Sequence, residues 1–307
     1  MIAWCLLAAA LAASPEPPDA GGTPPDAGTA TAAPAGPTLR LQPGTAKPGD
    51  PVLVMVEGAA ALPSGKLAGR ALHFYRYRER TPERSIDRYE AISALPVEHA
   101  LGTFPVVVKI PAGRGAPRRE IEASIDVVDA NYPKRELQVD RKFISPPPEE
   151  KERIAQDQEA FKRAWQTTFG PRLFHGDFEW PRHSVITAPF GDLRMFNGKK
   201  KSQHFGTDLD GSAGEPIQAA NDGVVVLVRE CFASGNTVIV NHGGGLLTAY
   251  FHMSKFLVEE GKQVKKGEII GLVGKTGRVT GPHLHWSIHA DGLYVDAQTL
   301  MRLDFGA

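Results

Sequence analysis

Short apolar runs separated by turn residues dominate the chain from residue 38 to residue 130. Four of these runs have the length of strands, namely PVLVMVEG (51–58), ALHFYRYR (71–78), TFPVVVKIP (103–111) and EIEASIDVV (120–128). Several short strands with Gly- and Pro-containing turns between them are typical of a β-sandwich. We therefore predict an immunoglobulin-like β-sandwich over residues 38–130.

A helical pattern follows in SPPPEEKERIAQDQEAFKRAWQ, residues 145–166. Ile154, Phe161 and Trp165 recur at helical spacing, so one stripe of the helix can dock while its charged faces stay in water. Prolines and acidic residues, which open the segment, are both favoured at a helix start. The pattern predicts a helix over 147–168, inside a linker of residues 131–175 that connects two domains.

After Phe174 the chain is punctuated by glycine and rich in strand signals. GNTVIVNH (235–242) and LLTAYFHM (246–253) flank a GGG sequence, which predicts a β-hairpin. KKGEIIGLVGKTG predicts a further strand between turns. Residues 176–307 are therefore predicted to form one all-β or nearly all-β domain, and the fold class of the chain is mostly β.

The first 37 residues lack the pattern of a folded domain. MIAWCLLAAALAAS is an apolar run followed by small residues, which indicates a signal peptide over residues 1–13. Residues 14–37 are rich in Pro, Gly and Ala, which predicts a disordered tether. The apolar run is well short of the roughly 20 residues of a membrane span. We expect secretion across an inner membrane to a periplasmic or extracellular location, without a transmembrane anchor.

Charge and cysteine content bear on two further properties, nucleic-acid binding and disulfide formation. The chain has 35 Lys and Arg against 35 Asp and Glu. This balance argues against a nucleic-acid partner, which would require a basic stripe. Removal of the signal peptide would leave Cys231 as the single cysteine, so no internal disulfide is expected and Cys231 is predicted to be a small buried apolar residue.

Histidines occur in three separated segments of the predicted C-terminal domain. HFGTDLDG (204–211) contains His204 and Asp208, AYFHMS (249–254) contains His252, and TGPHLHWSIH (280–289) contains His283 and His285. In a strand, His283, His285, Ser287 and His289 would share one face. Leu284, Trp286 and Ile288 would then face a core.

Two imidazoles and one carboxylate would give a zinc ion three ligands and leave one position for water. Gly206 and Thr207 disfavour a helix between His204 and Asp208, so this segment is predicted to be extended or bent. Gly206 would relieve the crowding where the backbone bends. Spacing alone does not choose between His283 and His285 as the third ligand.

HFGTDLDG, YFHM and TGPHLHW resemble, in the same order, the three signature segments of the M23 (LytM/lysostaphin-type) zinc metallopeptidases. The resemblance covers roughly residues 183–300, and the upstream sandwich and helix resemble the arrangement in some Gram-negative members. It implies a barrel-sandwich-like peptidase domain. It also implies that one Zn²⁺ is bound by His204, Asp208 and His285, with His252 and His283 as unliganded catalytic histidines.

The function implied by this resemblance is that of a zinc-dependent endopeptidase hydrolysing peptide cross-links of peptidoglycan. A metal-activated water would attack, with histidine as general base and then general acid. Peptidoglycan peptide stems would be the substrate, and cell-wall or divisome regulators are candidate partners. The alternative is a non-catalytic LytM-type module that activates a cell-wall amidase, although the intact five-residue set favours the enzyme.

A second alternative is a lipoyl or biotinyl carrier, which is suggested by residues 258–274, VEEGKQVKKGEIIGLVG. This segment lacks the Met-Lys-Met-like site of that class.

Three further residues are predicted to border a substrate groove. Thr248 and Tyr250 share strand parity with His252, although a packed strand face is the alternative for both. Asn197 lies in RMFNGKKKSQ (194–203), which is predicted to be a loop beside the site.

Overall fold

The computed structural model describes residues 36–80, 85–113, 117–140, 142, 145–166, 170–198 and 200–306. The predicted signal peptide and almost all of the predicted tether lie outside these residues. From Gly36 onward the chain forms one compact unit. Most of its regular structure is strand, so the predicted mostly-β fold class is confirmed.

A sandwich of two sheets forms the N-terminal part. Its strands are β1 Thr38–Gln42, β2 Thr45–Ala46, β3 Pro51–Glu57, β4 Ser64–Leu67, β5 Arg70–Leu72, β6 Tyr75–Arg80, β7 Ser85–Ala94, β8 Gly102–Ile110 and β9 Arg119–Val127. One sheet has the order β1-β3-β7-β6, and the other has the order β2-β9-β8-β4-β5. Val54, Val106 and Ile125 belong to one apolar cluster that both sheets bury. The immunoglobulin-like character of this sandwich stays a prediction.

Strand β3 is buried on both faces. Val52, Val54 and Val56 join the core of the sandwich. Leu53 and Met55 point the other way and join the core of the C-terminal part. Alternation along the strand explains both contacts. The two parts of the fold therefore share an apolar boundary as well as a linker.

One large sheet organises the C-terminal part. The strands from the linker onward are β10 Lys134–Leu137, β11 Ile186–Ala188, β12 Leu193–Phe196, β13 Lys200–Gln203, β14 Thr207–Asp210, β15 Pro216–Gln218, β16 Gly223–Cys231, β17 Gly235–Gly243, β18 Leu246–Met253, β19 Lys255–Phe256, β20 Gln263–Val264, β21 Ile269–Leu272, β22 His283–Ala290 and β23 Leu293–Val295. The large sheet has the order β11-β14-β22-β18-β17-β16-β20, with β23 beside β22. Two small sheets have the orders β10-β12-β13 and β15-β21-β19. Among the described residues, this strand order does not close a barrel.

Helix α1, Lys151–Trp165, covers one face of the large sheet, and a 3₁₀ turn at Pro148–Glu150 precedes it. Ala160 and Ala164 are buried against strand residues that include Ala249. The predicted helix is therefore present, and it packs as a layer on the sheet. A second, short helix, α2, spans Ala297–Leu300. In the described part of the chain, no helix has both the length and the apolar character needed to cross a membrane.

The opposite face of the large sheet carries the main apolar core. Leu284, Trp286 and Ile288 of β22 are almost fully buried there. The two-faced character predicted for this strand is therefore confirmed. Strands β17 and β18 form the predicted hairpin, and Cys231 is buried as expected.

Arg172 ties the two parts of the fold together. Its guanidinium lies 3.9 Å from the centre of the Tyr77 ring, and Nη1 lies 2.8 Å from Glu90 Oε2. The same side chain donates to the carbonyl oxygens of Phe174 and Phe305, both at 3.1 Å. Both members of the ion pair are buried, with side-chain exposures of 6% and 0%. The loss of either charge would leave the other partly uncompensated in a dry environment.

We expect Arg172→Ala to lower the free energy of unfolding by about 3 kcal/mol, because breaking a buried ion pair strands the remaining charge. Urea-induced unfolding of the purified chain measures this change. Arg78→Ala is the control, because Arg78 is 58% exposed in its ion pair with Asp87, and water screens such pairs. Equal effects of the two substitutions would show that Arg172 does not link the two parts.

Candidate functional site

Two antiparallel strands bring predicted ligand residues together. Strand β14 pairs with β22 so that Asp208 lies directly opposite His285. Directly opposite residues share a face, and Asp208 Oδ1 lies 2.7 Å from His285 Nδ1. His204 lies just before β14, and its Nε2 is 2.9 Å from both of these atoms. The structure therefore brings His204, Asp208 and His285 into one cluster that suits a metal ion.

Hydrogen bonds on the far side of each imidazole indicate which nitrogen carries the proton. His204 Nδ1 donates to the carbonyl oxygen of Pro189 at 2.8 Å, which leaves Nε2 with its lone pair. The Ser287 hydroxyl donates to the carbonyl oxygen of Phe205 at 2.6 Å, so it accepts from His285 Nε2 at 2.9 Å. His285 Nδ1 is therefore unprotonated. Three acceptor atoms thus converge within 2.7 to 2.9 Å of one another, an arrangement that suits a bound cation.

The charges around the cluster fit this assignment. Burial lowers the pKa of His285 to about 4, so its ring is neutral at pH 7. Arg194 Nη2 donates to Asp208 Oδ2 at 2.9 Å. One carboxylate oxygen is therefore held by Arg194, while the other faces the two imidazoles.

Gly206 allows the segment between His204 and Asp208 to pass close to β22. A Cβ atom at this position would lie 2.5 Å from His285 Nε2 and 2.7 Å from Ser287 Oγ. No real side chain fits at such distances. The glycine is therefore required because backbone and ring approach each other closely, in agreement with the crowding that the sequence predicts.

The two remaining predicted histidines lie beside the cluster. His283 Nδ1 donates to the carbonyl oxygen of Gly281 at 2.9 Å, and His283 Nε2 lies 3.7 Å from Asp208 Oδ1. His252 Nδ1 donates to the carbonyl oxygen of Thr276 at 2.8 Å, and its ring centre is 5.1 Å from that of His283. Burial, followed by the neighbouring histidines, lowers the pKa of His252 to about 3. In the neutral form of each ring, the lone pair therefore lies on Nε2.

The assignment of Thr248 and Tyr250 to the groove is wrong. Both side chains are fully buried on the core side of β18. The Tyr250 hydroxyl accepts from the backbone N–H of Ala220, and Thr248 Oγ1 lies 2.7 Å from His242 Nε2. Thr248 and Tyr250 share parity with His252 but do not share its face. His252 has a φ of +61°, in the left-handed region, and this turns its side chain to the cleft side of β18.

Asn197 is also wrongly assigned to the groove. The segment predicted as a loop is a hairpin of β12 and β13, and Asn197 lies in its turn with a φ of +49°. Its side-chain amide accepts from the backbone N–H of Val139 at 2.8 Å and donates to the carbonyl oxygen of the same residue at 2.9 Å. Asn197 therefore fastens the predicted linker to the hairpin.

A cleft of about 520 Å³ opens over the histidine cluster. One wall contains Arg135, Leu137 and Val139, from β10 and the residues after it, and β10 pairs in parallel with β12. Residues 278–282 form another wall. Sequence reasoning missed the β10 wall because KREL has no alternation of apolar and polar residues. It also missed Arg194, for which the sequence offers no signal. Strand parity places Ser287 on the face of His283 and His285, but it does not indicate the hydrogen bond to His285.

Comparison with known proteins gives matches to the segment that contains the histidine cluster. Residues 202–297 match the model of Peptidase family M23. The peptidoglycan DD-endopeptidase ShyA of Vibrio cholerae serotype O1 is 46% identical over 113 residues, which cover 36% of this chain and 26% of that protein. The DD-carboxypeptidase/endopeptidase Mpg of Neisseria meningitidis serogroup B is 43% identical over 110 residues, which cover 36% of this chain and 25% of that protein. The chain thus spans about a quarter of the length of these relatives.

A solved structure matches more of the chain. The crystal structure of a candidate M23 peptidase from Pseudomonas aeruginosa aligns with a TM-score of 0.60 and 26% identity, and the match covers 83% of this chain and 93% of that chain. The shared fold therefore extends well beyond the segment that carries the histidines. Residues 202–297 of this chain therefore resemble Peptidase family M23.

Proposed function

We propose that this protein is a zinc-dependent endopeptidase that hydrolyses peptide cross-links of peptidoglycan. The observation that carries the proposal is the convergence of His204, Asp208 and His285 through unprotonated acceptor atoms in an open cleft. Neutral imidazoles and a carboxylate suit zinc, and three protein ligands leave one position open. Relatives named as peptidoglycan DD-endopeptidases support the substrate class.

The neighbouring histidines have the geometry of proton carriers. A zinc ion held by the three ligands would polarise the scissile carbonyl and lower the pKa of water to about 7. His283 presents an unprotonated Nε2 toward the ligands and can take a proton there as general base. His252 keeps the same tautomer because Thr276 accepts its Nδ1 proton. The histidine that takes the proton can return it from Nε2 to the leaving amine as general acid.

This function places the protein where peptidoglycan lies, in the periplasm or outside the cell. The signal peptide predicted over residues 1–13 supports that location. Peptide stems are then the substrate, and cell-wall or divisome regulators are candidate partners.

The purified zinc-loaded chain should release new amines from isolated sacculi, since each hydrolysed cross-link frees one amine. Mass spectrometry of the muropeptides should show dimers converted to monomers. A chelator should stop the reaction, and added zinc should restore it. A non-catalytic module would instead release nothing unless an amidase were added. Full activity after rigorous removal of transition metals would refute the zinc dependence.

Substitutions should separate metal binding from proton transfer. We expect His204→Ala, Asp208→Ala and His285→Ala to lose zinc and activity together. His252→Ala and His283→Ala should keep about one zinc per chain but lose at least about 100-fold in rate, the size of a general acid–base contribution. Elemental analysis and amine release measure the two properties.

The exposed residue His183 is the control for these substitutions. His183→Ala should retain both zinc and activity, because its imidazole lies outside the cluster. Loss of zinc from His283→Ala, with zinc retained in His285→Ala, would reverse the assignment of these two histidines.

Gly206→Ala should prevent zinc binding while leaving the fold intact, because the added Cβ displaces His285 from the cluster. Elemental analysis measures the zinc content, and the thermal unfolding midpoint of the metal-free chain reports on the fold. Gly44→Ala is the matched control, since a Cβ there would meet nothing within 4 Å. Normal zinc content in Gly206→Ala would show that the cluster tolerates a shift of His285.

A further inference from the structure

Three arginines line the cleft, and they differ in their partners. Arg135 and Arg194 each pair with a carboxylate, at 2.7 and 2.9 Å. The guanidinium of Arg278 instead lies 5.0 Å from the centre of the Phe196 ring. Among the residues that the structure describes, no carboxylate pairs with Arg278. The cleft thus contains one cation that the described part of the chain leaves without a counter-charge.

The surroundings of Arg278 suit an incoming anion. Burial and the nearby guanidinium of Arg194 lower the pKa of Arg278, as expected when no neighbouring negative charge compensates a cation. Phe196 supports the guanidinium through a cation–π contact. Within the described residues, no group accepts a hydrogen bond from the Arg278 side chain. A planar guanidinium with free N–H groups binds a carboxylate through two parallel hydrogen bonds.

The position of Arg278 in the chain indicates which half of the substrate it meets. The carbonyl of Thr276 holds His252, and the carbonyl of Gly281 holds His283. Arg278 lies between these two carbonyls on the same loop, and it lines the same cleft. In the proposed function, one of these two histidines returns a proton to the leaving amine. An anion bound by Arg278 therefore belongs to the leaving half of the substrate.

We propose that Arg278 binds a carboxylate carried by the carbon atom that bears the leaving amine. This inference rests on the proposed peptidase function and refines its substrate class. A diaminopimelate residue cross-linked through its side-chain amine keeps a free carboxylate on that carbon, whereas a cross-linked lysine side chain has none. Arg278 is then a specificity-determining residue that favours diaminopimelate cross-links over lysine cross-links.

The test compares two purified muropeptide dimers that differ in one group. One dimer carries the free carboxylate beside the scissile amide, and in the other this carboxylate is converted to a carboxamide. For the zinc-loaded wild type, kcat/KM should be roughly 10- to 100-fold higher on the free carboxylate, the range expected for a charge-assisted hydrogen bond. Arg278→Gln should lose this preference by slowing only the reaction of the free carboxylate.

Two further variants control for charge and for folding. Arg278→Lys keeps the charge but loses the paired N–H groups, so its preference should be intermediate. Lys201→Gln removes one positive charge from the exposed surface of β13 and should leave the preference unchanged. Zinc content and the thermal unfolding midpoint establish that each variant is folded and loaded.

The outcomes separate this inference from the function on which it rests. Equal wild-type rates on the two dimers, or equal losses on both in Arg278→Gln, would overturn the role of Arg278 and leave the peptidase function standing. Cleavage of neither dimer by the zinc-loaded wild type would overturn both. A stem ending in D-alanyl-D-alanine has a carboxylate on the equivalent carbon. Cleavage of that stem with the same dependence on Arg278 would show that Arg278 recognises the carboxylate itself.

Discussion

Three lone pairs directed at one point repel each other, and the fold around the cluster imposes that arrangement. The pairing of β14 with β22 sets Asp208 opposite His285, and a slip of one residue would send one of them to the core face. The carbonyl of Pro189 and the hydroxyl of Ser287 then hold both imidazoles in the tautomers that present lone pairs. Gly206 leaves room for these contacts. Strand register, tautomer and backbone clearance must all be correct for a cation to bind.

Strand β22 serves two purposes along a single face. Near its start, His283 and His285 line the cleft, and Ser287 lies behind them. Two residues further on, His289 stacks on Trp165 of α1 with ring centres 4.4 Å apart. The helix that the sequence assigns to a linker therefore supports the sheet beside the site. The other face of the same strand packs Trp286 into the main core, so the strand that supplies the histidines is held from both sides.

The sequence predicts those parts of the site that follow regular alternation. The facing of His285 and the extended path from His204 to Asp208 follow from strand periodicity and from local glycine chemistry. The reasoning fails at His252, because a single residue in the left-handed region reverses the expected faces of Thr248 and Tyr250. Hydrophobic patterning contains no information on such a reversal.

Charged residues mark a second limit of sequence reasoning. An arginine in a sequence usually indicates a solvated surface. The structure is needed to show that Arg194 holds the Asp208 carboxylate and that Arg278 lies over an aromatic ring in the cleft. Long-range strand pairing is also invisible in the local sequence, since nothing in KREL indicates that β10 pairs with β12.

The β10 strand has a practical consequence for work on isolated fragments. It lies upstream of residues 202–297, which match the family model, yet Arg135, Leu137 and Val139 line the cleft. A recombinant fragment beginning at residue 176 would retain every histidine of the cluster and still lack this side of the groove. Ligand binding measured on such a truncated chain would describe a wider opening than the one that the longer polypeptide builds.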